Sequence, residues 1–208
     1  MPGPRRSRRR SPRPCLAPGR TARFPPVDTN AFWALVEDTR AEALEAAPDS
    51  VVEQHVETLT EALEELSDDE VRAFYRQLMA VRARANTWDL WAAAYLALGG
   101  ASDDSFLDFR NWLISHGRDT YERVLASPDE LADLEWDEDE NDFGAAEAWA
   151  YAPLEVLEER GFDEEEMDPG PEDVDDQFGE PTGEPFPEDD DEWFARRFPR
   201  LWARYGEA

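Results

Sequence analysis

The sequence has few of the residues from which catalytic, metal and membrane sites are usually built. Its 208 residues include one cysteine, Cys15, two histidines and no lysine. One cysteine cannot form a disulfide within the chain, which is typical of proteins from a reducing compartment. The longest apolar run, 92–98, is far shorter than the roughly 20 residues that a membrane-spanning helix needs. The sequence therefore predicts a cytoplasmic protein with no membrane partner.

Motifs for catalysis, metals and cofactors are also absent. The chain has no glycine-rich phosphate loop, no G-x-S-x-G turn and no cysteine–histidine pair. His55 and His116 are interpreted as structural, His116 being a favourable cation at a helix C-terminus. Residues 137–148 imitate a calcium loop, but Asp142 replaces the required glycine and Ala148 the required glutamate. We therefore predict no catalytic residue, no metal and no cofactor.

Charge is abundant, but it is mostly of one sign and unevenly distributed. The net charge of the chain is −29, and residues 129–192 carry 29 acids against one arginine. Residues 28–128 are mildly acidic, whereas both ends of the chain are basic. Mimicry of a nucleic acid would need these acids at an ordered, phosphate-like spacing, which a segment of this composition does not provide. Nucleic acid is therefore not a predicted partner.

The first 27 residues are rich in proline, arginine, glycine and serine and show no apolar periodicity. Such a segment cannot offset the entropy lost on ordering, so 1–27 is predicted to be disordered or a mis-assigned N-terminal extension. Three interpretations remain open: translation that begins at Val27, a disordered tail, or a basic arm that binds phosphates. We favour a start at Val27, because the helical pattern begins directly after it.

Apolar residues recur at helical spacing over 28–161, and no stretch alternates as a strand does. The fold class is therefore predicted as all-α, a compact multi-helix domain. Capping boxes are predicted at Ser67–Glu70 and at Ser127–Glu130. The stripe that follows Ser67 places its arginines largely on the solvent side; these are Arg72, Arg76, Arg82 and Arg84.

The C-terminal part divides by composition. Residues 162–187 are mostly Asp, Glu, Pro and Gly, and they are predicted to form an acidic disordered loop. Residues 188–208 are rich in aromatics and arginine, and they are predicted to pack on the helical domain. Trp193, Phe198 and Trp202 should provide this contact, because large apolar rings gain most from burial.

The most informative stretch is 88–117, which predicts a helix capped by Thr87, a glycine turn at Gly99-Gly100 and a second, capped helix whose apolar face includes Phe109 and Trp112. Large aromatics and charged residues alternate along it at fixed offsets. With Phe32-Trp33 and the closing 198–202 segment, it resembles a bacterial domain-of-unknown-function family, numbered 4240. The chain departs from the family pattern at Ala101, where Cys is common, and at His116, where Gln is common. The resemblance implies a helical cytoplasmic domain without established chemistry.

The same stretch supplies the candidate site. A ligand could be bound by seven residues that we expect near the glycine turn: Trp88, Asp89, Trp91, Asp103, Asp104, Arg110 and Trp112. Asp108 adds a further carboxylate to this group. Carboxylates beside an arginine are able to do acid–base work or hold a polar ligand. In the alternative interpretation the acids serve the helix start, Arg110 is buried and paired, and the aromatics are core.

Two functions follow from these alternatives. The first is a non-enzymatic regulatory module that binds an unidentified protein or small ligand. The second is a small-ligand binder or an enzyme that uses Asp89, Asp103, Asp104 and Arg110. Convergence of these four side chains in an open cleft favours the second function, whereas a buried and paired Arg110 favours the first.

Overall fold

The computed structural model describes residues 27–46, 48–135, 142–163, 167 and 179–206. The chain forms helices in this order: α1 (Thr29–Glu45), α2 (Val51–Glu64), α3 (Asp68–Arg84), α4 (Trp88–Leu98), α5 (Asp103–Ser115), α6 (Arg118–Ala126), a 3-10 helix (Pro128–Asp133), α7 (Asp142–Glu159), α8 (Asp191–Arg197) and α9 (Pro199–Tyr205). In these ranges the only extended pairing is an isolated parallel bridge between Thr87 and Thr182. The predicted all-α class is therefore confirmed.

Local capping interactions set several of the helix ends that the sequence predicted. At the start of α3, Ser67 Oγ accepts from the Glu70 amide and the Glu70 carboxylate accepts from the Ser67 amide, 2.8 Å away. Thr87 Oγ1 caps α4 by accepting from the Leu90 amide at 3.1 Å. Gly99 ends α4 in the left-handed region at φ 66°, which residues with a Cβ rarely adopt.

The second predicted capping box, at Ser127, is wrong. Ser127 forms no side-chain capping bond in the described structure, and the segment after it is a 3-10 helix in place of an α-helix. The Glu130 carboxylate is engaged elsewhere, because it forms ion pairs with Arg123 and with Arg200 of α9. The Glu130 carboxylate, which a capping box would need, is therefore engaged in ion pairs with residues of other helices.

Helix α5 lies at the centre of the domain. Its residues 109–115 are all buried, so this part of the helix is enclosed all round. Helix α7 packs against α2, α5 and α3, and α1 packs against α2. Pro153 lies inside α7 without ending it, and it is buried with the helix. The site described below lies where α3, α5 and α7 meet.

The C-terminal segment is docked on the body, as predicted. Phe198 is 1% exposed and Leu201 is fully buried, while the half-buried Trp193 and Trp202 pack against the same core. Helix α9 packs against α4 and the 3-10 helix. Asp129 accepts hydrogen bonds from the backbone amides of Arg200 and Leu201, both at 3.0 Å.

The residues just before α8 also lie on the body, and the disorder predicted for 162–187 stays a prediction. Thr182 exchanges backbone hydrogen bonds with the end of α3 and the start of α4, accepting from Trp88 N at 2.9 Å and donating to Asn86 O at 3.0 Å. Asn86 Nδ2 donates to the Gly179 carbonyl at 2.9 Å. Composition alone could not show these backbone partners. The predicted disorder of the rest of the loop, and of 1–26, lies outside the described residues.

Amide hydrogen exchange on the full chain tests this docking. We expect the helical amides of 194–205 to exchange at least about a hundredfold more slowly than unprotected amides. Because the contact is mainly apolar, the protection should persist in moderate salt. Phe198→Ala should reduce the protection of 194–205 while leaving α1 and α2 protected. Exchange at the unprotected rate in the unsubstituted chain would show that the segment is a free tail.

Candidate functional site

A polar pocket of about 120 Å³ lies between α3, α5 and α7. Each helix contributes side chains spaced by whole turns, so that they converge on one space. The lining consists of Tyr75 and Arg82 from α3, Leu107, Asp108 and Asn111 from α5, and Glu147, Ala150, Tyr151 and Leu154 from α7. We call this space the Arg82 pocket.

Arg82 is the unusual residue of this pocket. Its side chain is buried, with only 7% of the residue exposed. Nη1 donates to Asn111 Oδ1 at 3.1 Å, and Nη2 lies 3.0 Å from the weakly accepting sulfur of Met79. Among the described residues, Nε has no hydrogen-bond partner, and no carboxylate forms an ion pair with the guanidinium. Burial lowers the pKa of Arg82 to about 10, so it still carries its charge near neutral pH.

Asp108 gives the pocket a second titratable group. Burial, followed by the nearby carboxylates of Glu147 and Asp104, raises the pKa of Asp108 to about 6, although Arg82 acts in the opposite direction. The carboxyl group of Asp108 therefore exchanges its proton close to neutrality. The pocket combines a buried cation with a carboxyl group of adjustable charge.

Arg110 links α5 to α3 through the backbone of Arg82. It is 4% exposed, and its Nη1 donates to the backbone carbonyl of Arg82 at 3.2 Å. Its guanidinium also lies 4.8 Å from the ring centre of Phe106. Burial, and then repulsion from Arg82, lowers the pKa of Arg110 to about 10. Arg110 thus fixes the backbone from which Arg82 projects.

The structure does not gather the seven sequence-predicted residues around one ligand space. Asp89 forms an ion pair with Arg197 of α8, whose Nε donates to Asp89 Oδ1 at 2.8 Å. Asp103 and Asp104 are exposed in the first turn of α5, behind the capping residue Ser102. Arg110 is buried, and none of the seven lines the Arg82 pocket. The role proposed for this cluster stays a prediction.

The predicted aromatic residues form a stack that extends into the core. Trp88 and Trp91 are parallel at 5.2 Å, and Trp91 is parallel to Phe106 at 5.0 Å. Trp91 Nε1 donates to the Ala101 carbonyl at 3.0 Å, which ties α4 to the glycine turn. Trp112 is fully buried. These rings pack α4, α5 and the turn between them together.

A wider groove lies between the start of α4, residues 182–185 and α8. Its volume is about 610 Å³, and it is lined by Thr87, Asp89, Leu125, Thr182, Gly183, Glu184, Pro185, Trp193 and Arg197. Asp89 and Arg197 form an ion pair with each other, so neither of these charges is left unpaired for a ligand. The groove is therefore a weaker candidate for a ligand site than the Arg82 pocket, whose guanidinium has no ion-pair partner among the described residues.

His55 is buried and His116 is half-buried, and both are neutral at pH 7. Burial and the nearby Arg40 lower the pKa of His55 and of His116 to about 3. His55 Nε2 lies 2.9 Å from Thr39 Oγ1, and His116 Nδ1 donates to the Trp112 carbonyl at 2.9 Å. The interpretation of His116 as a cation at a helix terminus is wrong, because desolvation and Arg40 outweigh the helix dipole. Within the described ranges, no group of three or more potential ligands is arranged for a metal.

Asp108 was a candidate of the predicted cluster, but Arg82 and Asn111 were missed as site residues, and Arg82 was placed on the solvent side of its helix. A signal for its burial exists in the sequence, because Arg82 follows Phe74 and Leu78 at steps of four along the apolar stripe of α3. A charged residue on an apolar stripe is a candidate for a buried functional group. The acceptor and the carboxylates around Arg82 come from α5 and α7. Their approach depends on how the helices pack, which a sequence pattern does not show.

These observations define a compact helical domain with a small polar pocket enclosed by three of its helices. The family model described as "Protein of unknown function (DUF4240)" matches residues 27–159. This match covers more than half of the chain, so the chain belongs to that family, and the resemblance drawn from 88–117 is confirmed. The matched range contains every residue of the Arg82 pocket. No curated protein and no solved structure matches the chain.

Proposed function

We propose that this chain is a non-enzymatic binding module that takes a small ligand with an anionic group in the Arg82 pocket. The observation that supports the proposal is a buried guanidinium without an ion-pair partner among the described residues. A buried charge is costly unless it is paired and hydrogen-bonded. A carboxylate or phosphate would supply the strong acceptors that Asn111 and the Met79 sulfur replace only in part.

The surroundings of Arg82 favour binding because they hold this residue in place beforehand. Arg110 anchors its backbone carbonyl, and Asn111 orients the guanidinium through Nη1. A side chain that is already ordered loses less conformational entropy when a ligand arrives. Arginine also presents its N–H groups in a planar fork that matches carboxylate and phosphate oxygens.

Titration of the full chain with acetate, propionate and inorganic phosphate tests this function. We expect at least one of these anions to shift amide signals around the pocket in heteronuclear NMR spectra. Arg82→Gln should weaken that binding by roughly tenfold or more, since it removes the charge while keeping a similar shape. The affinity of Arg82→Lys should lie between those of the unsubstituted chain and Arg82→Gln, because lysine retains the charge but lacks the planar guanidinium.

The matched control is Arg84→Gln, two residues further along α3. Arg84 is exposed and is paired with Glu122, away from the pocket, so its loss should leave anion binding unchanged. Thermal unfolding of each variant shows whether the fold is retained. Equal binding by Arg82→Gln would overturn the proposal, and so would failure of every probe with an anionic group, including the amino carboxylates described below, to bind at millimolar concentration.

A second candidate function is acid–base catalysis on the bound molecule. The observation that favours it is the pKa of Asp108, which burial raises to about 6. It differs from the enzyme predicted from Asp89, Asp103, Asp104 and Arg110, because the group near neutrality lies in a pocket that these residues do not line. Proton exchange from a bound ligand that is lost in Asp108→Asn would favour this function over binding alone.

Partners and location remain part of the proposal. We expect a small-molecule ligand in place of nucleic acid, because the acidic excess of the chain repels phosphate backbones. None of the described helices is long and apolar enough to cross a membrane. The cytoplasm stays the expected location, on the basis of cysteine usage.

A further inference from the structure

We propose that the ligand of the Arg82 pocket is a small zwitterion, with its anionic group on Arg82 and an ammonium group beside Asp108 and Glu147. This inference rests on the proposed function and names the chemical class of the ligand. Its natural members are small amino acids and related amino carboxylates. Three features of the pocket support this inference: its opposite charges, its size and its apolar wall.

The pocket contains both signs of charge, but they do not neutralise each other by contact. Arg82 forms no ion pair with Asp108 or with Glu147, although all three line the same space. Asp108 and Glu147 belong to different helices, α5 and α7, and yet they influence each other electrostatically. A ligand with one negative group only would be attracted by Arg82 and repelled by two carboxylates. A ligand with both charges matches both ends of the pocket.

The carboxylate side of the pocket is accessible to a cation. Glu147 is exposed, and Tyr151, one turn further along α7, is 52% exposed. An ammonium group at this position would meet carboxylate oxygens and aromatic rings, which attract cations through their faces. Arg82, in contrast, is buried, with only 7% of the residue exposed. The zwitterion would therefore enter with its anionic group first.

The size of the pocket limits the ligand. Its volume of about 120 Å³ is somewhat smaller than the roughly 150 Å³ of a cavity that holds benzene. This admits a molecule of a few heavy atoms, such as glycine, alanine or a short amino carboxylate. Leu107, Ala150 and Leu154 supply apolar surface against which one or two methylene groups would pack.

The test compares three matched sets of probes on the full chain by calorimetry and NMR. The zwitterions are glycine, β-alanine and 4-aminobutyrate, the anions are acetate, propionate and butyrate, and the cations are ethylammonium and butylammonium. We expect one zwitterion to bind roughly tenfold or more tightly than the anion of the same carbon number. The cations should bind weakly, since they leave Arg82 without an acceptor.

Substitutions separate the two ends of the ligand. Asp108→Asn and Glu147→Gln should remove the preference for the zwitterion and leave binding of the plain anion equal or stronger. Arg82→Gln should weaken both classes of ligand. The matched control is Asp119→Asn, which removes an exposed carboxylate in the first turn of α6, outside the pocket, and should change neither.

The pH dependence of binding should have opposite signs for zwitterions and for plain anions. The charged and titratable groups around Asp108 are Glu147, Asp104, Arg82, Tyr75 and Tyr151. Burial raises the pKa of Asp108 to about 6. As the pH rises through this value, Asp108 ionises, so zwitterion binding should strengthen and plain-anion binding should weaken. Parallel pH profiles for the two classes would contradict the inference.

The possible results distinguish the two proposals. Equal, Arg82-dependent binding of zwitterions and plain anions would overturn the zwitterion inference and leave the proposed anion site standing. Binding of the cations alone, or binding that does not change in Arg82→Gln, would overturn both. A zwitterion preference that survives in Asp108→Asn and Glu147→Gln would also reject the assignment of the ammonium position.

Discussion

Trp112→Ala should destabilise the domain by about 3–5 kcal/mol, the usual cost of truncating a fully buried large aromatic residue. Trp112 is 0% exposed and lies on the central helix α5. Its ring packs 5.7 Å from that of Phe109 and 4.3 Å from the imidazole of His116. Removal of the indole leaves a cavity that these rings cannot fill, because they belong to the same helix, which its packing in the core holds in place.

Urea unfolding of the purified chain measures this effect. Since small domains are stable by only about 5–15 kcal/mol, the variant should lose a large part of its stability. Trp112→Phe should cost less, because it keeps one ring in place. Leu44→Ala serves as the control, since Leu44 is 52% exposed and should change stability by no more than about 0.5 kcal/mol. A loss below about 1 kcal/mol for Trp112→Ala would show that the indole is not a core group.

The stability of the chain should fall when the pH is lowered from about 7.5 to 5.5. His55 and His116 have pKa values near 3 in the folded chain and an ordinary value of 6.5. Between these values the unfolded chain binds more protons, so acidification favours unfolding. Asp108 acts in the opposite sense, because its folded pKa is raised to about 6 and it takes up a proton in the folded state. The net loss is about 2 kcal/mol over this range.

Denaturant melts at a series of pH values test this dependence, and the slope is more informative than the absolute stability. In the double variant His55→Asn, His116→Gln the histidine contribution is absent. Asp108 should then dominate, so stability should rise on acidification over the same range. Asp108→Asn should make the loss of the unsubstituted chain steeper. A flat profile in the unsubstituted chain would mean that the two imidazoles are solvated in the fold.

Local sequence patterns predicted the features that depend on neighbouring residues. The Ser67–Glu70 capping box, the Thr87 cap and the left-handed Gly99 each need groups within one helical turn. The same holds for the apolar stripe that buries Phe109 and Trp112. Such patterns are visible in a sequence, because the interacting groups are three or four residues apart.

The failed predictions share a different cause. Ser127 does not cap a helix, because Glu130 pairs with arginines from other elements. Arg82 was placed on the solvent side of its helix, whereas it is buried and donates to Asn111 of α5. In each case a partner distant along the chain outweighed a local or compositional preference.

The sequence by itself determined the helical class, the caps at Ser67 and Thr87, the helix end at Gly99 and the docking of the C-terminal rings. Periodicity, capping and the burial of large apolar side chains are sufficient for these features. Only the tertiary structure decided that Arg82 is buried, that Asp89 pairs with Arg197, and that Asp108 and Glu147 share a pocket with Arg82. The charge state and partners of a polar group depend on its desolvation and on the groups that other helices bring to it, and the packing of the helices sets both.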